Sequence, residues 1–156
     1  MSGLIGSMGG RSGLIGNTAV IYEEGYHLCV VKGTGSGGTT ASLAAGSDEL
    51  AYRRIGDWCN IQGTIQVTDT AGLSGTKYFS LPFTCAQNTG HSGSEYWGVA
   101  VPTYSVNYPG TFCAAQASPN NAWFEIYGIV DGGTTANIIH TGYYRVNFTY
   151  DIKPTA

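Results

Sequence analysis

Three histidines and ten carboxylates are the residues of this chain that could act as acids, bases or metal ligands. His27 lies in a predicted strand, beside a Leu28 that we expect to face the core, while His91 lies in a polar loop and His140 ends a turn. None belongs to a Gly-x-Ser-x-Gly or His-x-x-x-His motif, which would bring a nucleophile to its base or pair two metal ligands. His91 and Glu95 would supply only two ligands from a glycine-rich and serine-rich loop. We therefore expect no catalytic residues, no metal and no cofactor.

One carboxylate has the surroundings of a sugar-cleaving group. Glu125 lies between Trp123 and Tyr127 in a predicted strand, and glycosidases place two carboxylates around the bond that they cleave. A solvent-facing position on a strand explains the same pattern without any catalysis. An enzyme that cleaves a surface glycan is thus an alternative that ranks below a binding protein.

Aromatic and amide side chains are concentrated around the segment 102–109, which begins and ends with proline. Exposed rings stack on the C–H faces of sugars, amides fix the orientation of a ligand, and prolines restrict the loop before binding. Tyrosines that cover a core edge or a subunit contact would give the same pattern. The candidate ligand-binding residues are Tyr96, Tyr104, Asn107 and Tyr108.

Alternation of apolar and polar residues predicts about eight short strands. The clearest run covers residues 59–68, where the odd positions are small or apolar, and the last run covers 144–152, where the even positions are apolar. An early run over 21–31 is expected to be interrupted at residues 23–25. Since no segment keeps a 3.6-residue period, the predicted fold is an all-β antiparallel sandwich or barrel.

Composition and charge exclude several classes of partner. The net charge is −3 and the seven lysines and arginines are scattered, so we expect no nucleic acid to bind. The longest apolar runs fall short of the roughly 18 residues that a membrane helix needs, so no membrane insertion is expected. The first residues do not read as a signal peptide, which predicts synthesis in the cytoplasm.

The four cysteines, Cys29, Cys59, Cys85 and Cys113, are too far apart in sequence for the usual zinc motifs. In a chain without a signal we expect them to be buried thiols, with two disulfides as the alternative.

The first nineteen residues differ from the rest, because Ser-Gly-Leu-Ile-Gly at 2–6 recurs at 12–16. We interpret residues 1–19 as a glycine-rich connector and 20–156 as one β-sandwich domain, with a plain flexible linker as the alternative. Apolar residues of the connector, and two tryptophans on polar sides of strands, would be covered by neighbouring subunits. The predicted interface residues are Leu4, Ile5, Leu14, Ile15, Trp58 and Trp123.

Three segments in order resemble the C-terminal domains of bacteriophage tail fibres. They are Tyr-Glu-Glu-Gly at 22–25, Tyr-Arg-Arg-Ile-Gly-Asp-Trp at 52–58 and Leu-Pro-Phe-Thr at 81–84. The chain departs from that family pattern in lacking a glycine before Leu81 and in having Tyr26 and His27 after the opening segment. The resemblance implies a jelly-roll-like sandwich, a homotrimer, and contact with the host surface at the end of a virion fibre.

The predicted function is therefore that of a non-enzymatic virion protein. It would contact its own copies, other virion proteins and a glycan or protein on the host cell surface, and would be made in the host cytoplasm. A capsid decoration or head-fibre protein without receptor binding is one alternative. A lectin-like or C1q/TNF-like trimeric binding module is another.

Overall fold

The computed structural model describes residues 21–87, 96–104, 112–129, 135–137 and 139–153, which form strands and turns without a helix. The strands in chain order are β1 Tyr22–Leu28, β2 Val31–Gly33, β3 Ser42–Leu43, β4 Glu49–Ile55, β5 Trp58–Asp69, β6 Lys77–Ser80, β7 Tyr96–Tyr104, β8 Phe112–Ala117, β9 Trp123–Ile129, β10 Thr135–Asn137 and β11 Gly142–Asp151. It follows that this part of the chain holds no helix of the length and hydropathy that a membrane crossing requires.

All strand pairs are antiparallel, and the hydrogen-bonded order is β1-β4-β5-β11-β7-β8-β9-β6-β2, with β3 beside β5 and β10 beside β9. The two ends of this path form two sheets that pack together. Aromatic rings join the layers: Tyr144 and Phe148 of β11 contact Phe79 of β6 and Phe124 of β9, respectively. The predicted antiparallel β-sandwich is confirmed, while the trimer stays a prediction.

Alternation of buried and more exposed residues on β5 and β11 builds the core. On β5 the side chains of Cys59, Ile61, Ile65 and Val67 are buried. On β11 every second residue from Gly142 to Tyr150 is buried and the residues between them are more exposed. Since successive side chains of a strand point to opposite faces, one face of each strand lies on the core and the other meets solvent. Both runs were predicted from the sequence with these orientations.

The core is mainly aromatic where β11 faces the second sheet. The rings of Phe79 and Phe124 stack at 5.2 Å, and Phe124 meets Phe148 edge-on at 5.3 Å. Phe148 lies over Gly98 of β7 so closely that a Cβ atom at Gly98 would overlap the phenylalanine side chain. Glycine at 98 is therefore required by the packing of a neighbouring ring.

Two sequence-based expectations about β1 are wrong. Residues 23–25 do not interrupt the run, because β1 continues through them and ends only before Cys29. Leu28 does not face the core, since it is 60% exposed on the same side of β1 as Tyr22 and Tyr26. Alternation along β1 puts Leu28 on the face that the second sheet does not cover, whatever its hydropathy.

The expected buried thiols are confirmed. All four cysteines are buried, and none of them forms a disulfide bond. Burial raises the pKa of the Cys29 and Cys85 thiols to about 12, and it also raises the pKa of Cys59. Such thiols are unreactive at neutral pH, because the thiolate is the nucleophile.

Candidate binding surface

Strands β1, β4, β5 and β11 present a solvent-exposed sheet surface, which we call the outer face. Short connections fix its register: β4 and β5 are joined by the two-residue turn Gly56-Asp57, in which Gly56 takes a positive φ of 60°. Glycine suits that position in a hairpin turn. Register then aligns alternate side chains into rows across the strands. The rows are Tyr22, Ile55, Trp58 and Asp151; Glu24, Arg53, Asn60 and Thr149; and Tyr26, Ala51, Gln62 and Asn147.

The first row is strongly apolar for a surface. Tyr22, Ile55 and Trp58, which we call the Trp58 row, are 60%, 57% and 65% exposed. They are direct partners across three strands, so their exposed areas are contiguous. Contiguous exposed apolar area is typical of surfaces that meet another molecule. Trp58, predicted from the sequence as an interface residue, thus lies at the solvent surface.

A groove of about 440 Å³ occupies the two neighbouring rows, and we call it the outer groove. Its floor includes the backbone of Gly25, against which the Tyr52 ring packs from the opposite side of the sheet, so closely that a Cβ at residue 25 would be 2.9 Å from the tyrosine oxygen. Tyr26 stands beside it and is 76% exposed. The volume lies within the range of small-ligand sites, about 300–1,000 Å³. The lining residues are Glu24, Gly25, Tyr26, Ala51, Tyr52, Arg53, Asn60 and Gln62.

The charges of the outer groove offset each other. Arg53 Nε lies 3.8 Å from Glu24 Oε2, and both side chains are mostly exposed. Tyr22 donates a 2.7 Å hydrogen bond to the same carboxylate oxygen, and this bond is the main reason that the pKa of Tyr22 is raised. An exposed ion pair of this kind adds little stability. Its effect is to leave the groove polar with no net charge.

The amide of Asn60 is held in place by β11. Its Nδ2 lies 3.2 Å from Asn147 Oδ1, 3.2 Å from the Phe148 carbonyl oxygen and 3.1 Å from Thr149 Oγ1. A side chain fixed by several acceptors loses little further freedom when a ligand binds. Asn60 is therefore a preorganised polar group at the edge of the outer groove.

On the inner side of β1 and β4, a cluster of polar and aromatic side chains connects these two strands to the core. The hydroxyl of Tyr52 donates to Glu23 Oε1 at 2.8 Å, and Arg54 Nη1 lies 3.9 Å from the other oxygen of that carboxylate. The Arg54 guanidinium lies over the Phe83 ring at 5.2 Å, and Tyr52 meets Phe83 edge-on. These contacts join the three segments that carry the resemblance to tail fibres. Their role at this place is to hold an edge strand on the sandwich.

The other candidates from the sequence fall in several places. Tyr96 and Tyr104 are the first and last residues of β7. Trp123 stacks on Tyr78 at 4.7 Å, so part of its area is covered within the chain. The remaining candidates, Asn107, Tyr108, Leu4, Ile5, Leu14 and Ile15, lie outside the described residues. Their roles in ligand binding and assembly stay predictions.

His27 and Glu125, which could act as acids or bases, make contacts within the fold. His27 Nε2 is hydrogen-bonded to Ser80 Oγ at 2.8 Å, and burial lowers the pKa of His27. The Tyr127 hydroxyl donates to Glu125. His91 lies outside the described residues, and within the described ranges no three histidines, cysteines or carboxylates are grouped as metal ligands.

The sequence identified part of the outer face. The polar positions of β5, among them Asn60 and Gln62, were expected to face solvent, and they do so at least in part. Tyr22 and Tyr26 were not recognised as surface groups, although their alternation with Glu23 and Gly25 was a usable signal. No protein-family model and no curated protein matches the chain.

Proposed function

We propose that this chain is a non-enzymatic virion protein, the distal domain of a bacteriophage tail fibre, which assembles as a homotrimer and binds a glycan or protein of the host surface. The sandwich fold and the order of the segments 22–25, 52–58 and 81–84 support this proposal. Synthesis in the host cytoplasm and incorporation into the virion are part of it.

The observation that carries the proposal is the Trp58 row. Three large apolar side chains, aligned across neighbouring strands and more than half exposed, would be costly to leave in water. Contact with a sister subunit would bury them, and the adjacent outer groove would remain open for a receptor. Assembly and binding then use two neighbouring parts of the same face.

Sedimentation equilibrium of the purified chain tests the assembly. We expect a mass of three times 16.4 kDa, and a shift towards the monomer when Trp58→Ser and Ile55→Ser are combined. Leu28→Ser is the matched control, because Leu28 is equally exposed on β1 but lies outside the row. A wild-type monomer, or an unchanged trimer in the double variant, would contradict the assembly described here.

Adsorption to bacteria tests the binding. Fluorescently labelled protein is mixed with a panel of bacterial strains, and retention on cells is measured with and without competing phage. We expect retention on the strains that the phage infects, and competition between protein and phage. Binding to empty capsids and to no cells would instead support a capsid decoration protein, and release of reducing sugar would support an enzyme.

A further inference from the structure

We infer that the outer groove is a carbohydrate site for a neutral oligosaccharide, in which Tyr26 stacks on a sugar ring while Asn60 and Gln62 bond its hydroxyls. This inference rests on the proposed function, since it names the receptor chemistry. It places that site on the sheet of β1, β4 and β5, whereas the sequence favoured the segment 102–109.

The side chains around the groove have the chemistry of sugar recognition. The Tyr26 ring is three-quarters exposed and offers the flat apolar surface against which the C–H groups of a pyranose pack. Across from it, in register, are Ala51 and Gln62. The small side chain of Ala51 leaves room for a ligand between an aromatic ring and an amide.

Polar groups at the groove can both donate and accept, as sugar hydroxyls require. An amide side chain has two N–H donors and a carbonyl acceptor, an arginine donates, and a carboxylate accepts. The contacts of Asn60 Nδ2 with β11 already orient this amide, and its Oδ1 is the atom that would accept from a sugar hydroxyl. The groove therefore presents several planar polar groups next to one ring.

Charge selects a neutral ligand over an ionic one. Glu24 and Arg53 are the charged residues of the lining, and they are paired with each other at 3.8 Å. An acidic sugar would have to approach Glu24, and a basic peptide would have to approach Arg53. A neutral ligand can bond to both groups and leave the pair in place.

The volume of about 440 Å³ and the open side of the groove suit a chain of sugars lying along the sheet. The flat surface on which Tyr26 stands also resembles a docking surface for a peptide. The polar lining favours the glycan, because sugar hydroxyls can bond to Glu24 and Arg53, whereas apolar side chains of a peptide would cover these charges without bonding to them.

The test uses the full chain on an array of bacterial surface oligosaccharides, neutral and acidic. We expect binding to neutral members, and Tyr26→Ala to raise the Kd for the best of them by about tenfold. Tyr26→Phe should bind like the wild type, because it keeps the ring. Leu28→Ala, on the same strand and face but outside the groove, should also bind normally. Binding to acidic members alone, to none, or equally by Tyr26→Ala overturns the inference.

Titration with the best neutral oligosaccharide, followed by NMR, gives a second measurement. The side-chain amide signals of Asn60 and Gln62 should shift with the same Kd as array binding. If the shifts occur elsewhere and these amides stay unchanged, the site is not the outer groove.

Treatment of the cells that retain the protein distinguishes this inference from the proposed function. Mild periodate oxidation of those cells should abolish retention, and protease treatment should leave it. Retention by wild type and by Tyr26→Ala alike, or loss after protease alone, refutes the groove as a glycan site and leaves the tail-fibre proposal standing. Absence of retention on every strain refutes the tail-fibre proposal, while the array still decides about the groove.

Discussion

Replacement of Tyr144 by phenylalanine removes one oxygen atom from the centre of the fold. The Tyr144 side chain is fully buried, and its hydroxyl accepts a 2.7 Å hydrogen bond from the His140 backbone N–H and donates a 2.8 Å bond to the His140 carbonyl. Each bond contributes about 1 kcal/mol net, so Tyr144→Phe should lower the free energy of unfolding by about 2 kcal/mol. For a chain of this size that is a fall in Tm of about 4–8 °C.

Thermal unfolding followed by circular dichroism measures this change, at matched protein concentration because assembly affects Tm. Tyr26→Phe is the control, since that ring is 76% exposed, and its effect should stay within about 0.5 kcal/mol. If Tyr144→Phe melts with the wild type, the paired bonds to His140 do not stabilise the fold. If both variants lose the same stability, the loss does not come from the buried position.

Two further predictions concern the core. Gly98→Ala places a methyl group where Phe148 lies, so urea unfolding should show a loss of about 1–3 kcal/mol, and wild-type stability would contradict the packing described. Burial raises the pKa of the Cys85 thiol from 9.0 to about 12. The thiol therefore stays protonated to a higher pH in the folded chain than in the unfolded chain. The stability from this group is complete below about pH 9 and is lost as pH rises towards 12. Cys85→Ala should therefore show a shallower fall in stability over this window, and an equal slope would refute the assignment.

The sequence predicted the parts of the fold in which one face of a strand is wholly apolar. The runs on β5 and β11 alternate around Ile61 and Phe148, with a less buried Gly63 as the exception on β5, so their orientation could be derived from period alone. Strand β4 was missed, because its inward positions include Arg54. That residue is accommodated by Glu23 and the Phe83 ring, which no local pattern reveals.

The outer face was predicted only in part, for a topological reason. Tyr26 and Gln62 lie in one row because β4 separates their strands with a fixed register. Alternation says which side of its own strand a residue occupies, and it does not say which strands are neighbours. Leu28 shows the same limit, since an apolar residue at a strand end faces the core only if a second layer covers it.

The place of β11 in the sheet has a consequence for synthesis. β11 is inserted between β5 and β7, and its aromatic side chains complete the core, so both sheets remain unfinished until residues 142–151 leave the ribosome. A nascent chain at any earlier stage exposes the apolar faces of β5 and β6 together with unpaired strand edges. Folding of such distant pairings is slow and vulnerable to aggregation. We therefore expect the domain to fold only after β11 has left the ribosome, with a demand for chaperones that ends when this strand is in place.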